Sequence, residues 1–138
     1  MPTINVVPDP SFADLTFAAP GLHARLAQLS PEQLDRLDFG VIGFGADAKV
    51  SQYNRTESDA AGLSALRVLD QPLFTNVAPC LNNFMVAQRF EDAQDNDSAL
   101  DDTIDYVLTL RMRPVKVKLR LLAEAGSEQR YVLVQRKP

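Results

Sequence analysis

The fold of this chain is decided by two short runs of strand-like period, Phe39-Gly40-Val41-Ile42-Gly43-Phe44 and Lys49-Val50-Ser51-Gln52-Tyr53. Between them lies Gly45-Ala46-Asp47-Ala48, whose small residues suit a turn. Short strand-like runs joined by a glycine-containing connection of this length are typical of a β-hairpin. We therefore predict two neighbouring antiparallel strands at this point of the chain.

The residues after the hairpin predict a helix start. Asn54 is a favoured N-cap residue, and Glu57 stands three positions later, so the pair forms an Asn-x-x-Glu capping pattern. On spacing alone, a surface glutamate that completes the cap is the commoner interpretation of Glu57. A buried, functional glutamate is the alternative that the spacing leaves open.

The middle of the chain predicts broken helical structure followed by one longer helix. Glycine at position 62 and proline at positions 72 and 79 allow only brief helical turns between residues 60 and 80. The longer helix is predicted from Leu81 to Gln94, with Phe84, Ala87 and Phe90 facing inward.

Three strands are predicted to close the chain, at residues 103–112, 115–123 and 130–136, with turns at Pro114 and at Ala125-Gly126-Ser127. One face of the first strand is formed by Ile104, Tyr106, Leu108, Leu110 and Met112. The element order predicts an α+β, PAS-like fold, with an antiparallel five-stranded sheet and helices on one face. This analogy concerns the fold and does not by itself give a function.

The N-terminal residues 1–36 predict a helical cap on the same domain, whose core spans residues 37–138. A proline-rich arm precedes Leu22, Leu26 and Leu29, which recur at helical spacing. Ser30-Pro31-Glu32-Gln33 predicts the start of a second short helix with a capping box. We expect Phe12 and Phe17 to help pack this cap, and we interpret His23 as a solvated surface histidine.

Composition and charge argue against a nucleic-acid-binding function. The chain has 138 residues and a net charge of −4, which argues against nucleic acid as a partner. Basic residues alternate through Val115-Lys116-Val117-Lys118-Leu119-Arg120-Leu121, which we interpret as the solvated face of a half-buried strand rather than a binding face.

Location and metal content follow from what the sequence lacks. It has no apolar run of about 18 residues, so we expect no membrane span. It has no basic segment before an apolar one at its N-terminus, so we expect a cytoplasmic protein. With one cysteine and one histidine, it has neither a disulfide nor a Cys/His set for structural zinc.

Several motifs together resemble the photoactive yellow protein family. They are Leu37-Asp38-Phe39-Gly40-Val41-Ile42, Gln52-Tyr53-Asn54 with Glu57, Asn76-Val77-Ala78-Pro79-Cys80, and Met112-x-Pro114-x-Lys116-Val117-Lys118. Each motif is weak alone, but Tyr-x-x-x-Glu and Ala-Pro-Cys at the family's separation are specific. The resemblance covers about residues 30 to 137 and implies a PAS-fold blue-light photoreceptor.

The resemblance also implies a covalent chromophore, p-coumaric acid (4-hydroxycinnamic acid), bound as a thioester. Cys80 matches the attachment cysteine, and its backbone N–H matches the donor to the thioester carbonyl. Tyr53 and Glu57 match the tyrosine and protonated glutamic acid that hydrogen-bond the phenolate oxygen. Met112 matches a methionine that assists thermal recovery, and Pro79 belongs to the chromophore-binding set.

Two chromophore-binding positions depart from the family. Ala61 replaces a threonine that lies behind the tyrosine, and Leu63 replaces an arginine that covers the ring. These differences put wavelength, lid motion and solvent access in question, but they do not touch the covalent site.

The residue types suit this chemistry. Burial and a neighbouring negative charge both favour a neutral carboxyl, so Glu57 is expected to be a proton donor to a buried phenolate. After it gives up the proton, we expect an unpaired buried carboxylate that drives local opening. The signal would then pass by partial unfolding to an unknown downstream signalling protein, from a monomer or weak dimer.

Two functions of other classes remain as alternatives. An enzyme with Cys80 as nucleophile needs a positioned base, and only His23 is available, so we expect no enzyme. A PAS-like module that binds a ligand or partner without a covalent chromophore is the closer alternative.

Overall fold

The computed structural model describes residues 15–109 and 114–136. Its centre is an antiparallel five-stranded sheet in the order β2-β1-β5-β4-β3. The strands are β1 Gly40–Phe44, β2 Val50–Tyr53, β3 Leu100–Leu108, β4 Val115–Ala123 and β5 Arg130–Gln135. The predicted α+β fold and its sheet are therefore confirmed.

The predicted hairpin is formed by β1 and β2, in a register that pairs Ile42 with Tyr53. On its other side β1 pairs with β5, where Gly40 lies opposite Val134. All five residues of β1 are buried, because the strand has a neighbour on each side and a packed layer on each face. The sequence of a strand that is buried on both faces is a continuous apolar run and does not alternate between apolar and polar residues.

Two layers cover the sheet. One face carries Ile42, Leu119, Leu121, Val132 and Val134 and is covered by the helical segments between β2 and β3. The opposite face carries Val41, Leu122, Tyr131 and Leu133 and packs against N-terminal residues that include Leu22, Leu26 and Leu34. The N-terminal residues therefore form a cap on the second face. Their division from the core at residue 36 stays a prediction, and Phe12 lies outside the described residues.

In its described part, residues 15–36, the cap contains two short helices, α1 Leu22–Ala27 and α2 Pro31–Leu34. The predicted capping box at α2 is confirmed, since Ser30 Oγ accepts from the Gln33 N–H at 3.2 Å and Gln33 Oε1 accepts from the Ser30 N–H at 2.9 Å. Each helix is too short to persist alone in water. Both therefore depend on packing against the sheet.

The interpretation of His23 as solvated is wrong. Its side chain is buried against the cap face of the sheet, 5.3 Å from the ring of Tyr131 in an edge-to-face contact. Its Nε2 donates to the carbonyl oxygen of Gln129 at 2.8 Å. His23 lies outside the Leu22, Leu26 and Leu29 pattern in sequence, so only the tertiary contact reveals its burial.

The helical layer consists of α3 Arg55–Ala61, α4 Ala65–Val68, a π-helical turn Leu73–Val77, a 3₁₀ turn Pro79–Leu81 and α5 Ala87–Asp95. The predicted brief turns between residues 60 and 80 are confirmed. No helix in the described part of the chain is long and apolar enough to cross a membrane.

The predicted helix from Leu81 to Gln94 is wrong in its first half. The Asn83 side chain accepts from the N–H groups of Met85 and Val86 at 2.9 and 3.2 Å, and it thereby holds a turn that precedes α5. Asparagine competes in this way with the helical backbone pattern. Phe90 is buried as predicted, but Phe84, expected to face inward, is 79% exposed.

The strand predictions at 115–123 and 130–136 agree with β4 and β5, except that β5 ends at Gln135. β3 begins three residues before the prediction and ends at Leu108, and Leu110 and Met112 lie outside the described residues. Lys116 and Lys118 are exposed as predicted. Arg120 is not, because Asp101 and the cap enclose it.

Candidate functional site

Asn54 fixes the start of α3 and with it the position of Glu57. Its Oδ1 accepts from the N–H groups of Val41 and Glu57 at 2.9 and 3.1 Å. Its Nδ2 donates to the carbonyl oxygens of Leu34 and Phe39 at 2.8 and 3.1 Å. The predicted N-cap is thus confirmed, and the same side chain joins β1, the end of α2 and the start of α3.

Glu57 is not a surface capping residue. It is fully buried, and its two carboxylate oxygens accept from Nη1 and Nη2 of Arg136 at 2.7 and 3.0 Å. A bidentate arginine–carboxylate pair of this kind is strong and directional. The geometry is that of an ionised carboxylate with its own counter-ion.

Gly40 makes room for this pair. A Cβ built on Gly40 would overlap Oε1 of Glu57 and lie 3.1 Å from its carboxyl carbon. The backbone of β1 therefore forms one wall of the carboxylate site, and the absence of a side chain is what the site requires.

Tyr53, at the end of β2, is the third member of this buried polar group. Burial raises the pKa of the Tyr53 phenol, and the negative charge of Glu57 raises it further, while Arg136 acts in the opposite direction. Burial opposes the charged form of Arg136, but its hydrogen bond to Glu57 and the charge of Glu57 outweigh that effect and raise the pKa of Arg136. Tyr53, Glu57 and Arg136 are therefore electrostatically coupled.

Cys80 is half-buried in the 3₁₀ turn and borders a cavity of about 610 Å³. The cavity is lined by Ala61, Gly62, Leu63, Asn76, Val77, Pro79, Cys80 and Thr109. Four residues predicted for the site, Ala61, Leu63, Pro79 and Cys80, thus meet at one cavity. The carbonyl oxygen of Cys80 accepts from the hydroxyl of Tyr106 on β3, which fixes the turn to the sheet.

Tyr53 and Glu57 are not part of that lining. Tyr53 instead lines a groove of about 360 Å³ that Leu34, Asn54 and Leu69 also border. Ala61 connects the two regions, since it lies four residues after Glu57 on the same face of α3. Met112 lies outside the described residues, so its assignment stays a prediction.

The residues present fit a covalently held aromatic acid. The thiol lies at the wall of a cavity, and α3 leads from that wall to the buried Tyr53 phenol, which can donate to an oxyanion, and to Glu57, which can do so only once it is protonated and released from Arg136. Among the described residues, no group of three or more His, Cys, Asp or Glu side chains could hold a metal ion.

Sequence reasoning missed Arg136 and Gly40. A signal for Arg136 was present, because it lies two and four residues after the inward-facing Val134 and Val132 and therefore continues their face. No local pattern pointed to Gly40, whose role depends on a carboxylate 17 residues away in the chain.

The comparisons with known proteins agree with this architecture. The photoactive yellow protein of Halochromatium salexigens is 30% identical over 120 residues, covering 87% of this chain and 95% of that protein. The photoactive yellow protein of Rhodothalassium salexigens is 25% identical over 122 residues, covering 88% and 97%. No family sequence model matches the chain.

Among solved structures, the photoactive yellow protein domain of the sensor histidine kinase Ppr from Rhodospirillum centenum superposes with a TM-score of 0.75 at 29% identity. The match covers 81% of this chain and 97% of that domain. A PAS domain of an HTR-like protein from Haloarcula marismortui matches with a TM-score of 0.56 at 12% identity, which concerns the fold alone.

Proposed function

The chain belongs to the photoactive yellow protein family of PAS-fold photoreceptors, and from this premise we propose that it is a blue-light receptor carrying p-coumaric acid as a thioester on Cys80. The observation that carries the proposal is the position of the chain's one thiol. It borders a cavity together with Ala61, Leu63 and Pro79, and α3 leads from that cavity to Glu57.

When bound, p-coumaric acid supplies visible-light absorption and a double bond that isomerises from trans to cis. Cys80 Sγ would hold its acyl group, and the thiolate is the form that makes such a bond with an activated acyl donor. The Tyr53 hydroxyl and a protonated Glu57 would hold the phenolate oxygen, because a buried oxyanion is costly without strong donors.

Glu57 would hold a proton in the dark and release it after illumination. The change in the charge and partner of Glu57 would favour local opening, which would carry the signal to a downstream protein that the sequence does not identify. The site itself excludes water on the Glu57 side, where the carboxyl is fully buried.

We propose a receptor rather than an enzyme. His23, the one candidate base, packs against Tyr131 on the cap face of the sheet, whereas Cys80 packs with the helical layer on the other face. The two side chains are therefore separated by the sheet, and a Cys–His pair is not assembled.

Intact mass and an absorption spectrum test the proposal directly. The wild-type protein treated with activated p-coumarate should gain the mass of one p-coumaroyl group and turn yellow. Cys80→Ala should stay folded, gain no mass and remain colourless. A colourless wild-type protein of unchanged mass would reject the photoreceptor and leave the non-covalent PAS-like binding module.

A further inference from the structure

The pairing of Glu57 with Arg136 bears on the proton transfer that the proposed function assigns to Glu57. Both carboxylate oxygens are engaged, so a neutral Glu57 cannot keep this geometry, because its protonated oxygen would face a second donor. The same glutamate therefore has two mutually exclusive partners: Arg136 as a carboxylate and a phenolate oxygen as an acid.

We propose that Arg136 is a positioning residue of the photocycle: it holds Glu57 as a carboxylate before the chromophore is loaded and again after Glu57 has released its proton. The inference rests on the proposed function. It also replaces the expectation of an unpaired carboxylate after illumination, because the described structure provides Glu57 with a counter-ion 2.7 Å away.

The location of Arg136 allows it to exchange partners. It follows the last strand residue, Gln135, and its side chain is 21% exposed, whereas that of Glu57 is 1% exposed. The guanidinium thus has access to water at the end of β5 and can be hydrated when the pair breaks. Glu57 has no such access and depends on a partner in either protonation state.

The pairing of Glu57 with Arg136 also bears on position 63, where the family has an arginine that covers the chromophore ring. The resemblance gives the family an arginine over the ring where this chain has Leu63. Arg136, which directly follows β5, supplies a positive charge near Tyr53 and Glu57 instead. Its direct contact is with Glu57, the proposed proton donor.

Infrared spectroscopy of the apoprotein decides the first half of the proposal without any chromophore. Neutral carboxylic acids absorb in a region free of carboxylate bands, and Glu57→Gln identifies the Glu57 contribution by difference. The wild-type apoprotein should lack a neutral Glu57 band at pH 7. Arg136→Met should gain one, and Arg136→Lys, which keeps the charge, should not.

A matched control is available in Arg120→Met. Arg120, which is buried, likewise forms a bidentate pair with a carboxylate, that of Asp101, but it contacts the cap. This variant should leave the Glu57 band absent. A neutral Glu57 band in the wild-type apoprotein, or no band in Arg136→Met, would overturn the proposal.

The loaded protein tests the second half. Without Arg136 the carboxylate formed after illumination lacks its counter-ion and regains its proton sooner, so thermal recovery of the yellow form should be about tenfold faster or more in Arg136→Met. The dark absorption band should move little. A large dark shift with unchanged recovery would instead make Arg136 the partner of the phenolate and would overturn the proposal.

Failure of the proposed function can be distinguished from failure of the proposal for Arg136. If Cys80 takes up no chromophore, the infrared experiment on the apoprotein still gives a positive or negative answer about Glu57 and Arg136. A double-mutant cycle of Glu57→Gln and Arg136→Met in the apoprotein should show a coupling of about tenfold in the unfolding equilibrium constant. Additive effects would contradict the pairing.

Discussion

Arg120 on β4 donates a hydrogen bond from Nη1 to the carbonyl oxygen of Ala19 at 2.7 Å, and so joins the sheet to the N-terminal cap. The same nitrogen donates to the carbonyl oxygen of Phe17 at 3.0 Å. Nε and Nη2 are occupied by the two carboxylate oxygens of Asp101 at 2.8 and 2.9 Å. One side chain thus donates to two backbone carbonyl groups of the cap that lie outside its helices.

We expect Arg120→Met to loosen the cap and to lower the free energy of unfolding by about 2–3 kcal/mol, because buried carbonyl groups and a carboxylate lose their donor. Urea unfolding and hydrogen exchange of residues 15–29 measure this. Lys118→Met is the matched control, since the pair of Lys118 with Asp105 is exposed and should contribute under about 1 kcal/mol. Equal losses in both variants would contradict the role of Arg120.

Asp101 makes this connection sensitive to acid. Its hydrogen bond to Arg120 lowers the pKa of the Asp101 carboxyl below its ordinary value of 3.8, against the smaller opposing effect of burial. A depressed folded-state pKa stabilises the protein above the unfolded-state pKa, and that contribution is lost as the pH falls through the folded value. The wild-type protein should therefore lose stability more steeply than Asp101→Asn as the pH falls below about 4. Parallel stability curves would contradict this.

The space beside Gly40 gives a third prediction. In Gly40→Ala the added methyl group meets the Glu57 carboxylate, so the pair with Arg136 must shift, and we expect a loss of about 2–3 kcal/mol in the free energy of unfolding. Gly45→Ala is the control, because its nearest neighbour is the exposed Asp47 side chain at 3.2 Å. The apoprotein of Gly40→Ala should also show a neutral Glu57 band in the infrared. A fully stable Gly40→Ala would show that Glu57 can move without cost.

Local signals predicted the hairpin, the capping box at Ser30 and the boundaries of β4, because each depends on residues close together in the chain. Most of what the sequence did not reveal depends on distant partners. His23 is buried by Tyr131, Arg120 is enclosed by Asp101 and the cap, and Glu57 meets Arg136 from 79 positions away. Phe84 is exposed because the Asn83 side chain holds a turn before α5. The spacing of apolar residues does not reveal such a turn.

Ala61 gives a prediction about the loaded site. It lies at the cavity wall on the same face of α3 as Glu57, where the resemblance gives the family a threonine behind the tyrosine. Ala61→Thr should restore a hydroxyl that supports Tyr53 as a donor, and the pKa at which the yellow band is lost on acidification should fall. Titration of the absorption band measures it. An unchanged or higher value would show that the Tyr53 hydroxyl needs no support from this position.

The path by which the site would act on the cap begins at the N-terminus of α3. Three bonds tie that end to the residues around α2: Asn54 Nδ2 to the Leu34 carbonyl, the Arg55 N–H to Asp35 Oδ1 at 2.7 Å, and Thr56 Oγ1 to the Leu37 carbonyl. Glu57 is the next residue in that turn, so we expect a displacement of Glu57 on losing its proton to reach the end of α2 through these bonds.

We therefore predict that blue light detaches the cap of the loaded protein while the sheet stays paired. The cap is the weaker unit, because α1 and α2 are short and are held by side-chain packing, by His23 and by Arg120. Hydrogen exchange in the dark and under continuous blue light should show lost protection at residues 20–36 and retained protection in β4 and β5. Illuminated Cys80→Ala, which has no chromophore, is the control and should match the dark protein. If residues 20–36 are equally protected in light and dark while the photocycle proceeds, the cap is not the element that carries the signal.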